Sequence, residues 1–471
     1  MSGLEVARAA LAGERAWIVG GAVRDRALGR EAGADVDVIV DCDPAAAAKA
    51  LAEAARSGGQ GAACFALSRE FGGWRVLARD GSWQVDVEPL RGGSLDADLH
   101  LRDFTVNAVA EPVCGGTPID PLGGLADLAA GRLRVASVDA FEDDPLRVLR
   151  LVRLSVERGM AADGRTLALA RASSSRLSAL APERIFSELA RIVDACEAVR
   201  GLALLREVRA LGVVLPELEA LEGVQQSRYH HRDVLGHTIE VLEQVIALQA
   251  APDQVLGGAA RQVSEILNEP LADGLRRGSA LRWGALMHDI AKPRTRAVER
   301  ETGRVTFYGH DRLGAVLASE ILLRLRTSTK LRLHVAALVR EHLRLGFLVH
   351  EPQPLSRRTV FSHLRHTDPV QVDVTLLSIA DRLATRGEKA DDAIEAHLRV
   401  ALPMLDDALL WMREGAPKPL LRGDELALEA GVAPGPELGD LIEALTEAQY
   451  AGEVRTREQA LAFVQKLCAS H

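Results

Sequence analysis

The sequence has little cysteine, few aromatic residues and no long apolar run. Its five cysteines lie far apart and form no C-x-x-C pair, which argues against a disulfide framework and against a thiolate zinc site. No apolar segment is long enough to span a membrane, and the charged N-terminus lacks the apolar core of a signal peptide. The formal net charge of −9 argues against a protein that is basic throughout. These features predict a reduced, cytoplasmic protein without a membrane partner.

Alanine, leucine and arginine are abundant, and they favour a mostly helical chain. A length of 471 residues predicts two to four domains, and 57 lysine and arginine residues are enough for a local basic groove. Up to about residue 137, strand-like runs alternate with alanine-rich helix; the runs are residues 17–19, 36–40, 74–78 and 83–87. Beyond that point the apolar period is close to 3.6, so an α/β region is expected to precede a helical remainder.

Acidic residues repeat with a period of two in "DVDVIVD". Asp35 and Asp37 alternate with valines, so both carboxylates are expected on one face of a strand. The segment "SWQVDVEPLR" places Asp86 and Glu88 on one face of another strand. Three such carboxylates can hold two divalent cations that polarise a phosphate and activate a hydroxyl. A D-x-D pair alone more often faces water, and the neighbouring sequence decides between the two interpretations.

Two adjacent glycines follow the first predicted strand, "AWIV". Gly20 and Gly21 allow the backbone to approach a phosphate closely. Arg24 and Asp25 lie at the start of the next predicted helix, whose N–H groups and cation suit a triphosphate.

These motifs carry a resemblance to a known family. G-G-x-V-R-D followed by D-x-D resembles the head domain of class II tRNA nucleotidyltransferases and bacterial poly(A) polymerases, in the polymerase β superfamily. "LRDFTVNA" is similar to the family's R-R-D-F-T-x-N-A, with leucine in place of the first arginine, and "FEDDPLRVLRLVRL" is similar to its E-D-x-x-R region. "IDPLGGLADLAAGRLR", "PERIFSEL" and "LRGDEL" also resemble family segments.

The resemblance implies a multi-domain α+β fold. A polymerase β-like head of mixed sheet and helices is expected over residues 1–137, and an all-helical neck with the nucleotide-selecting motif over 138–222. An HD body is expected over 223–400 and a tRNA-binding helical tail over 401–471.

The resemblance also implies the roles of individual residues. Asp35, Asp37 and Asp86 would be catalytic and would hold Mg²⁺. The expected nucleotide-binding residues are Gly20, Gly21, Arg24, Asp25, Arg102, Asp103, Asn107, Asp144, Arg147, Arg150 and Arg153. The expected partners are CTP, ATP and the tRNA 3′ end, and no obligate protein partner is evident.

Asp144 and Arg147 are three residues apart on a predicted helix, so they are expected to share a face that Arg150 and Arg153 continue. A carboxylate accepts from the amino group of a base and a guanidinium donates to ring nitrogen and carbonyl, so the pair can present a Watson–Crick-like edge. Without the resemblance, an intrahelical ion pair would be the better interpretation. With it, Asp144 and Arg147 are predicted to read the base of CTP or ATP without a template.

The connection between the third carboxylate and "LRDFTVNA" is only "RGGSLDADLH". In the family, a longer flexible loop at this position is associated with the switch from C to A addition. The shortness of this connection predicts a partial enzyme that adds CC. A poly(A) polymerase is the nearest alternative.

The helical half contains a second set of polar residues that resembles the H…HD…H…H…D pattern of the HD phosphohydrolase superfamily. Its members are His237, His288, Asp289, His310, His342 and Asp381. Imidazoles and carboxylates from separate helices can converge on one or two metals, here Mg²⁺ or a divalent transition metal. The site would be a phosphatase or phosphodiesterase acting on RNA ends, or a structural relic, and Lys292 would suit a phosphate.

A protein of another class remains as an alternative, namely an HD phosphohydrolase whose head only binds RNA. The clustered carboxylates favour the transferase, because a binding module gains nothing from negative charge beside an RNA backbone.

Overall fold

The computed structural model describes residues 1–29, 34–67, 72–226, 231–387 and 390–469. The chain divides into two compact units, Met1–Val214 and Leu215–His471. The predicted α+β class is confirmed, because a mixed sheet with helices forms the first unit and helices dominate the second. Within the described residues, no helix is both long and apolar enough to cross a membrane.

The first unit contains a six-stranded sheet of order β3-β4-β5-β2-β1-β6. Its strands are β1 (Ala16–Val19), β2 (Asp35–Val40), β3 (Ala62–Ala66), β4 (Trp74–Ala78), β5 (Gln84–Pro89) and β6 (Ala110–Pro112). Strands β2 and β5 are parallel and the other neighbours are antiparallel. The four predicted strands are β1, β2, β4 and β5, whereas the two edge strands β3 and β6 were not predicted. A short parallel pair, β7 (Arg132–Leu133) and β8 (Ala161–Ala162), lies outside this sheet.

Eleven helices accompany these strands in the described part of the first unit. They are α1 (Gly3–Ala10), α2 (Gly21–Ala27), α3 (Pro44–Ser57), α4 (Leu95–His100), α5 (Gly124–Ala129), α6 (Ala140–Asp143), α7 (Arg147–Arg158), α8 (Gly164–Ser173), α9 (Pro182–Asp194), α10 (Ala198–Glu207) and α11 (Leu211–Val214). Short 3₁₀ turns cover Thr105–Asn107 and Ser174–Ala179.

The two faces of β2 have different environments. Val36, Val38 and Val40 are buried in a core that includes Val6 of α1 and Leu51 of α3. On the other face, Ile39 is buried beside Leu99 of α4. Because side chains alternate along a strand, Asp35 and Asp37 share the face of Ile39. The apolar packing therefore fixes the direction in which the two carboxylates point.

In the part of the second unit that the structure describes, helices dominate and two short hairpins occur, β9 (Pro270–Ala272) with β10 (Leu275–Arg276) and β11 (Ala297–Val298) with β12 (Val305–Thr306). Its helices are α12 (Pro216–Glu219), α13 (Val234–Ala250), α14 (Asp253–Leu256), α15 (Ala260–Leu267), α16 (Arg277–Met287), α17 (Lys292–Thr295), α18 (His310–Arg324), α19 (Thr329–Glu341), α20 (Arg344–Leu348), α21 (Arg357–Thr367), α22 (Gln371–Ala384), α23 (Ala390–Glu414), α24 (Gly423–Ala430), α25 (Pro436–Tyr450) and α26 (Arg457–Ala469).

Helix α16 lies at the centre of the second unit, where every one of its residues is buried and it packs against α13, α19 and α22. Arg277 at its start forms a buried ion pair with Asp373 of α22, with an Nε to Oδ1 distance of 2.9 Å. Helices α24, α25 and α26 have a separate small core that includes Leu426, Leu445 and Val464. The predicted HD residues lie on helices of the second unit or next to their ends: His237 in α13, His288 and Asp289 directly after α16, His342 directly after α19, Asp381 in α22, and His310 at the start of α18.

Candidate functional site

The carboxylates of the first unit meet on one face of the sheet. Asp37 and Asp86 are direct neighbours in the parallel β2–β5 ladder, and Asp35 lies two residues before Asp37 on the same face. Arg75 of β4 donates two hydrogen bonds to Asp86, each of 2.7 Å. These bonds to Asp86 raise the pKa of Arg75, and the charges of Asp35 and Asp37 raise it further, although partial burial opposes them. Arg75 is therefore a cation beside the predicted carboxylates, and the sequence motifs did not identify it.

Burial is the main reason why the pKa of Asp37 rises to about 6. The positive charge of Arg102 opposes this shift, and the negative charges of Glu88 and Asp86 add to it. A bound cation stabilises the ionised form of such a carboxylate and therefore lowers its pKa again.

Gly20 lies directly against Asp37. It precedes α2 with a φ of +69°, a backbone conformation that favours glycine. A Cβ added at Gly20 would lie 2.9 Å from Oδ2 of Asp37. The glycine therefore allows the turn after β1 to approach the carboxylate.

Substituting Gly20 with alanine should lower nucleotide incorporation by about tenfold or more, because a displaced reacting group of about 1 Å costs up to a hundredfold. Gly29→Ala is a matched control, since Gly29 has a φ of +70° and nothing within 4 Å of an added Cβ. Both variants would be compared in a labelled-nucleotide incorporation assay and by thermal unfolding. Equal losses of incorporation in the two variants would show that backbone strain, not the contact with Asp37, is responsible.

A chain of polar contacts links the glycine turn with helix α7. It runs in order through Arg150, Asp103, Asn107, Arg24, Asp25 and Arg158. Asp103 is 2.7 Å from Nη2 of Arg150 and accepts a 3.0 Å hydrogen bond from Nδ2 of Asn107. Arg24 donates to Oδ1 of Asn107 at 2.7 Å. Because Arg24, Asp103 and Asn107 are buried, these bonds hold their side chains in place.

A cavity of about 510 Å³ opens beside this chain and beside Gly20, Gly21 and Asp37. Eight arginines line it, namely Arg24, Arg91, Arg102, Arg147, Arg150, Arg153, Arg158 and Arg191. The lining carboxylates are Asp37, Glu88, Asp103 and Asp144. Arginines outnumber carboxylates two to one, which suits a polyanion such as a triphosphate.

Asp144 and Arg147 both line the cavity, but the prediction that they share the face of one helix is wrong. Asp144 follows α6 with an extended backbone (φ −144°, ψ 100°), and α7 begins only at Arg147. The cause is Pro145, because a proline disfavours helical geometry in the residue before it. Arg184 donates to Asp144 at 2.8 Å, and Arg147 donates to the carbonyl of Leu101 at 2.7 Å.

The short connection after β5 is an ordered turn followed by helix α4. Ser94 caps this helix by accepting from the Ala97 N–H at 3.2 Å. Asp98 is fully buried and accepts a 2.9 Å hydrogen bond from the backbone N–H of Arg91. Its other oxygen lies 3.5 Å from Nε of Arg102. Asp98 therefore connects both ends of the segment 91–102.

In the second unit, three histidines are oriented in the same way. The Nδ1 atoms of His288, His310 and His342 each bond to the backbone carbonyl three residues earlier, at 2.7 or 2.8 Å. Nδ1 carries the proton in such a bond, which leaves Nε2 to act as a ligand. Among the described residues, Nε2 of His288 and Nε2 of His310 have no hydrogen-bond partner. These buried atoms suit a cation.

The six HD residues come together at one place. The ligating atoms of His237, His288 and Asp289 lie within 4.8 Å of one another, as do those of Asp289, His310 and His342. Asp381 lies 3.0 Å from Nε2 of His237. The two groups share Asp289, so the donor set fits one or two divalent cations. Lys292 is adjacent to this set, with Nζ 2.6 Å from Asp289.

Two members of this cluster, His342 and Asp289, have the protonation states that metal binding needs. Burial, with the nearby His288 and His310 charges, lowers the pKa of His342 to about 4, so its imidazole is neutral at pH 7. Burial would raise the pKa of Asp289, but the charges of His288 and Lys292 hold it well below its usual value. Neutral imidazoles and ionised carboxylates are the forms that bind metals. Burial alone would lower the pKa of His288, but the charge of Asp289 outweighs burial and raises that pKa, so a metal would compete with a proton there.

Three family models match successive parts of the chain. The poly A polymerase head domain matches residues 16–134, the probable RNA and SrmB-binding site of polymerase A matches 159–221, and the HD domain matches 234–386. The A-adding tRNA nucleotidyltransferase of Deinococcus radiodurans is 37% identical over 456 residues, covering 96% of this chain and 95% of the relative. The chain belongs to the tRNA nucleotidyltransferase family.

Other relatives in this family have different names. The CC-adding tRNA nucleotidyltransferase of Thermus thermophilus is 34% identical, with 95% of this chain and 93% of the relative covered. A CCA-adding enzyme solved with ATP has a TM-score of 0.64 at 16% identity, covering 99% of this chain and 95% of that one. The Thermotoga maritima CCA-adding enzyme, solved with tRNA, has a TM-score of 0.59 at 18% identity, covering 97% and 91%. These structures share the fold of this nucleotidyltransferase.

The nucleotidyltransferase cavity contains most of the residues that the motifs predicted for nucleotide binding. Asp25 reaches it through Arg24, and Asp35 and Asp86 lie on the sheet face of Asp37. Sequence analysis missed three of its arginines, which are Arg91, Arg158 and Arg191. Arg158 lies about three helical turns after Arg147, so its spacing could have predicted that both arginines share one face of α7. Arg191 belongs to another helix, α9, and no local pattern marks it.

The carboxylates of the nucleotidyltransferase head fit a magnesium site. Asp35, Asp37 and Asp86 offer the oxygen ligands that Mg²⁺ prefers. The two bonds from Arg75 use two of the roughly four lone-pair positions of the Asp86 carboxylate, so acceptor capacity remains.

Proposed function

We propose that this enzyme adds C or A to the 3′ end of tRNA from CTP or ATP, with Asp35, Asp37 and Asp86 holding two Mg²⁺ ions. In the transfer, the terminal hydroxyl oxygen bonds to the α-phosphorus, the hydroxyl loses its proton and pyrophosphate leaves. Bound magnesium supplies polarisation of the α-phosphate and activation of the hydroxyl. The observation that carries the proposal is the acidic sheet face at the edge of a cavity lined by eight arginines.

Different groups of residues are proposed to bind the triphosphate and the base of the nucleotide. The cavity arginines neutralise the triphosphate, and the glycine turn at Gly20 brings the backbone close to it. Asp144 and Arg147 are proposed to contact the base. Their present partners, Arg184 and the Leu101 carbonyl, would hold both side chains in place before the nucleotide arrives.

We infer that the enzyme adds one kind of base, and CC addition remains the prediction. Recognition of two bases requires the selecting residues to reorient. Segment 91–102 would have to move with the selecting residues. It is short, and Asp98 contacts both of its ends, the Arg91 backbone N–H and the Arg102 side chain. A addition is the second candidate, because the relative at 37% identity is named A-adding.

Three tRNA transcripts, ending at the discriminator base, at C and at CC, distinguish these products. Each would be incubated with labelled CTP or ATP. A CC-adding enzyme should extend the first two with CTP and leave the CC-ending transcript unextended. Extension of only the CC-ending transcript, with ATP, would establish A addition. Addition of both bases would refute the single-base proposal, and long A tails on unrelated RNA would indicate a poly(A) polymerase.

We further propose that the HD cluster is a metal-dependent phosphohydrolase acting on RNA ends. The support is the convergence of four histidines and two aspartates beside Lys292, at a cavity of about 690 Å³.

The proposed domain boundaries are those predicted from the sequence, with the head over 1–137, the neck over 138–222, the HD body over 223–400 and the tail over 401–471. Because tRNA is the proposed acceptor, we propose a cytoplasmic location.

The tail is proposed to contact tRNA, although its charge is unfavourable for phosphates. Residues 401–471 contain twelve aspartate and glutamate residues against six lysine and arginine residues. Any contact with tRNA there would depend on shape and hydrogen bonding more than on charge.

A further inference from the structure

A second cavity lies beside the HD cluster. It has a volume of about 370 Å³, and its wall includes Gln226, Arg304, Phe307, Tyr308 and Phe347. Lys292, His310 and Leu343 line both this cavity and the larger one that reaches Asp289, His342 and Asp381. A ligand whose phosphate lies at the HD cluster can therefore extend into the second cavity.

Two large aromatic side chains of this cavity are exposed. Tyr308 is 78% exposed and Phe347 is 66% exposed, although neither lies in a chain terminus. A third ring, Phe307, has Nζ of Lys292 5.3 Å from its centroid. The same lysine accordingly touches the aromatic wall and, through Asp289, the HD cluster. Exposed rings that line the same cavity as Lys292 suit the stacking of a base.

The segment that carries Tyr308 is basic. Residues 292–312 contain six lysine and arginine residues against three acidic residues, and they include the hairpin β11–β12. Arg304 is exposed at the cavity wall. Positive charge interleaved with exposed aromatic rings is typical of surfaces that bind single-stranded nucleic acid. The charge complementarity favours a nucleotide at the end of an RNA over an apolar or a basic peptide.

We propose that Tyr308 and Phe347, with Arg304, form a nucleobase subsite that makes the HD site selective for phosphates attached to a nucleoside. The base would stack on the rings while Lys292 and the HD cluster hold the phosphate. In the hydrolysis, water supplies the oxygen that bonds to phosphorus, the phosphorus–oxygen ester bond breaks, and the leaving oxygen takes a proton. This subsite rests on the proposed phosphohydrolase function of the HD cluster.

The metal-loaded full-length enzyme would be tested with adenosine 2′-, 3′- and 2′,3′-cyclic phosphates and with glycerol phosphates, which lack a base. In the double variant Tyr308→Ala/Phe347→Ala, KM for the nucleotides should rise about tenfold or more, from the loss of stacking. The factor by which KM for the nucleotides rises should be about ten times the factor by which KM for the glycerol phosphates changes. The kcat values should change little. Tyr308→Phe keeps a ring and should keep the wild-type KM.

Leu333→Ala is the matched control, because Leu333 is an exposed apolar residue of α19 that lines neither cavity. It should leave both KM values as in the wild type. Hydrolysis with the same KM for nucleotides in the wild type and in the double variant would overturn the subsite and leave the phosphohydrolase standing.

A second measurement separates failure of the subsite from failure of the activity. A short oligoribonucleotide that ends in 4-thiouridine 3′-phosphate would be photo-crosslinked to the full-length enzyme, and the crosslinked peptides identified by mass spectrometry. Crosslinks at Tyr308 or Phe347 without any hydrolysis would support the subsite and refute the phosphohydrolase. Absence of both would overturn both proposals.

Discussion

Nucleotide incorporation by Asp37→Ala should fall to less than about 1% of the wild-type rate, since metal polarisation of a phosphate contributes several kcal/mol to the transition state. Asp37 lies beside Asp86 in the sheet and against Gly20, and it is the member of the proposed metal-holding trio that lines the described cavity. Binding of tRNA, measured by filter retention, should stay within about twofold, because RNA phosphates are bound by cations and a carboxylate does not attract them.

Asp41→Ala provides the matched control for this variant. Asp41 lies just after β2, and its side chain forms a surface ion pair with Arg15 that is worth about 1 kcal/mol or less. It should incorporate nucleotides at nearly the wild-type rate. Incorporation by Asp37→Ala above a few per cent of the wild-type rate would contradict the two-metal proposal.

Replacing His288 with alanine should remove at least about 99% of any metal-dependent hydrolysis of phosphate esters, because the cluster loses a ligand that only Nε2 can supply. Nucleotide addition should persist, because the nucleotidyltransferase residues belong to the other compact unit. Hydrolysis and incorporation would be measured on the same preparation, together with metal content by atomic absorption.

Two further variants test whether His288→Ala loses hydrolysis only because the protein fails to fold. Asp289→Asn keeps the size of the shared carboxylate and should also abolish hydrolysis. His366→Ala removes an exposed histidine of α21 whose Nδ1 bonds to the Ser362 carbonyl of the same helix, and it should leave both activities intact. A parallel fall of addition and hydrolysis in His288→Ala would contradict the separation of the two activities.

Short-range patterns predicted the parts of the site that depend on a strand or on family motifs. The period of two in "DVDVIVD" predicted the shared face of Asp35 and Asp37, because apolar packing of the intervening valines enforces it. The order of the H…HD…H…H…D motif predicted a set of six residues that the helices do bring together, although α13 and α22 are far apart in sequence.

Patterns failed where a local exception or a distant partner decides the structure. Asp144 and Arg147 have helical spacing, but Pro145 breaks the helix between them, and this signal was present in the sequence. Arg75 could not be predicted as a partner of Asp86, since that contact depends on the antiparallel register of β4 with β5. The edge strand β3 was missed because most of its residues are exposed and alternate weakly.

The ion pair between Arg75 and Asp86 has a consequence for the order in which the protein assembles. Carboxylates that share a sheet face repel one another, and a fold that depends on a metal to cancel this repulsion stays incomplete until the metal arrives. Here Arg75 of β4 supplies a positive charge that offsets part of this repulsion. On the proposed two-metal mechanism, magnesium would therefore be needed for catalysis and not for completion of the sheet.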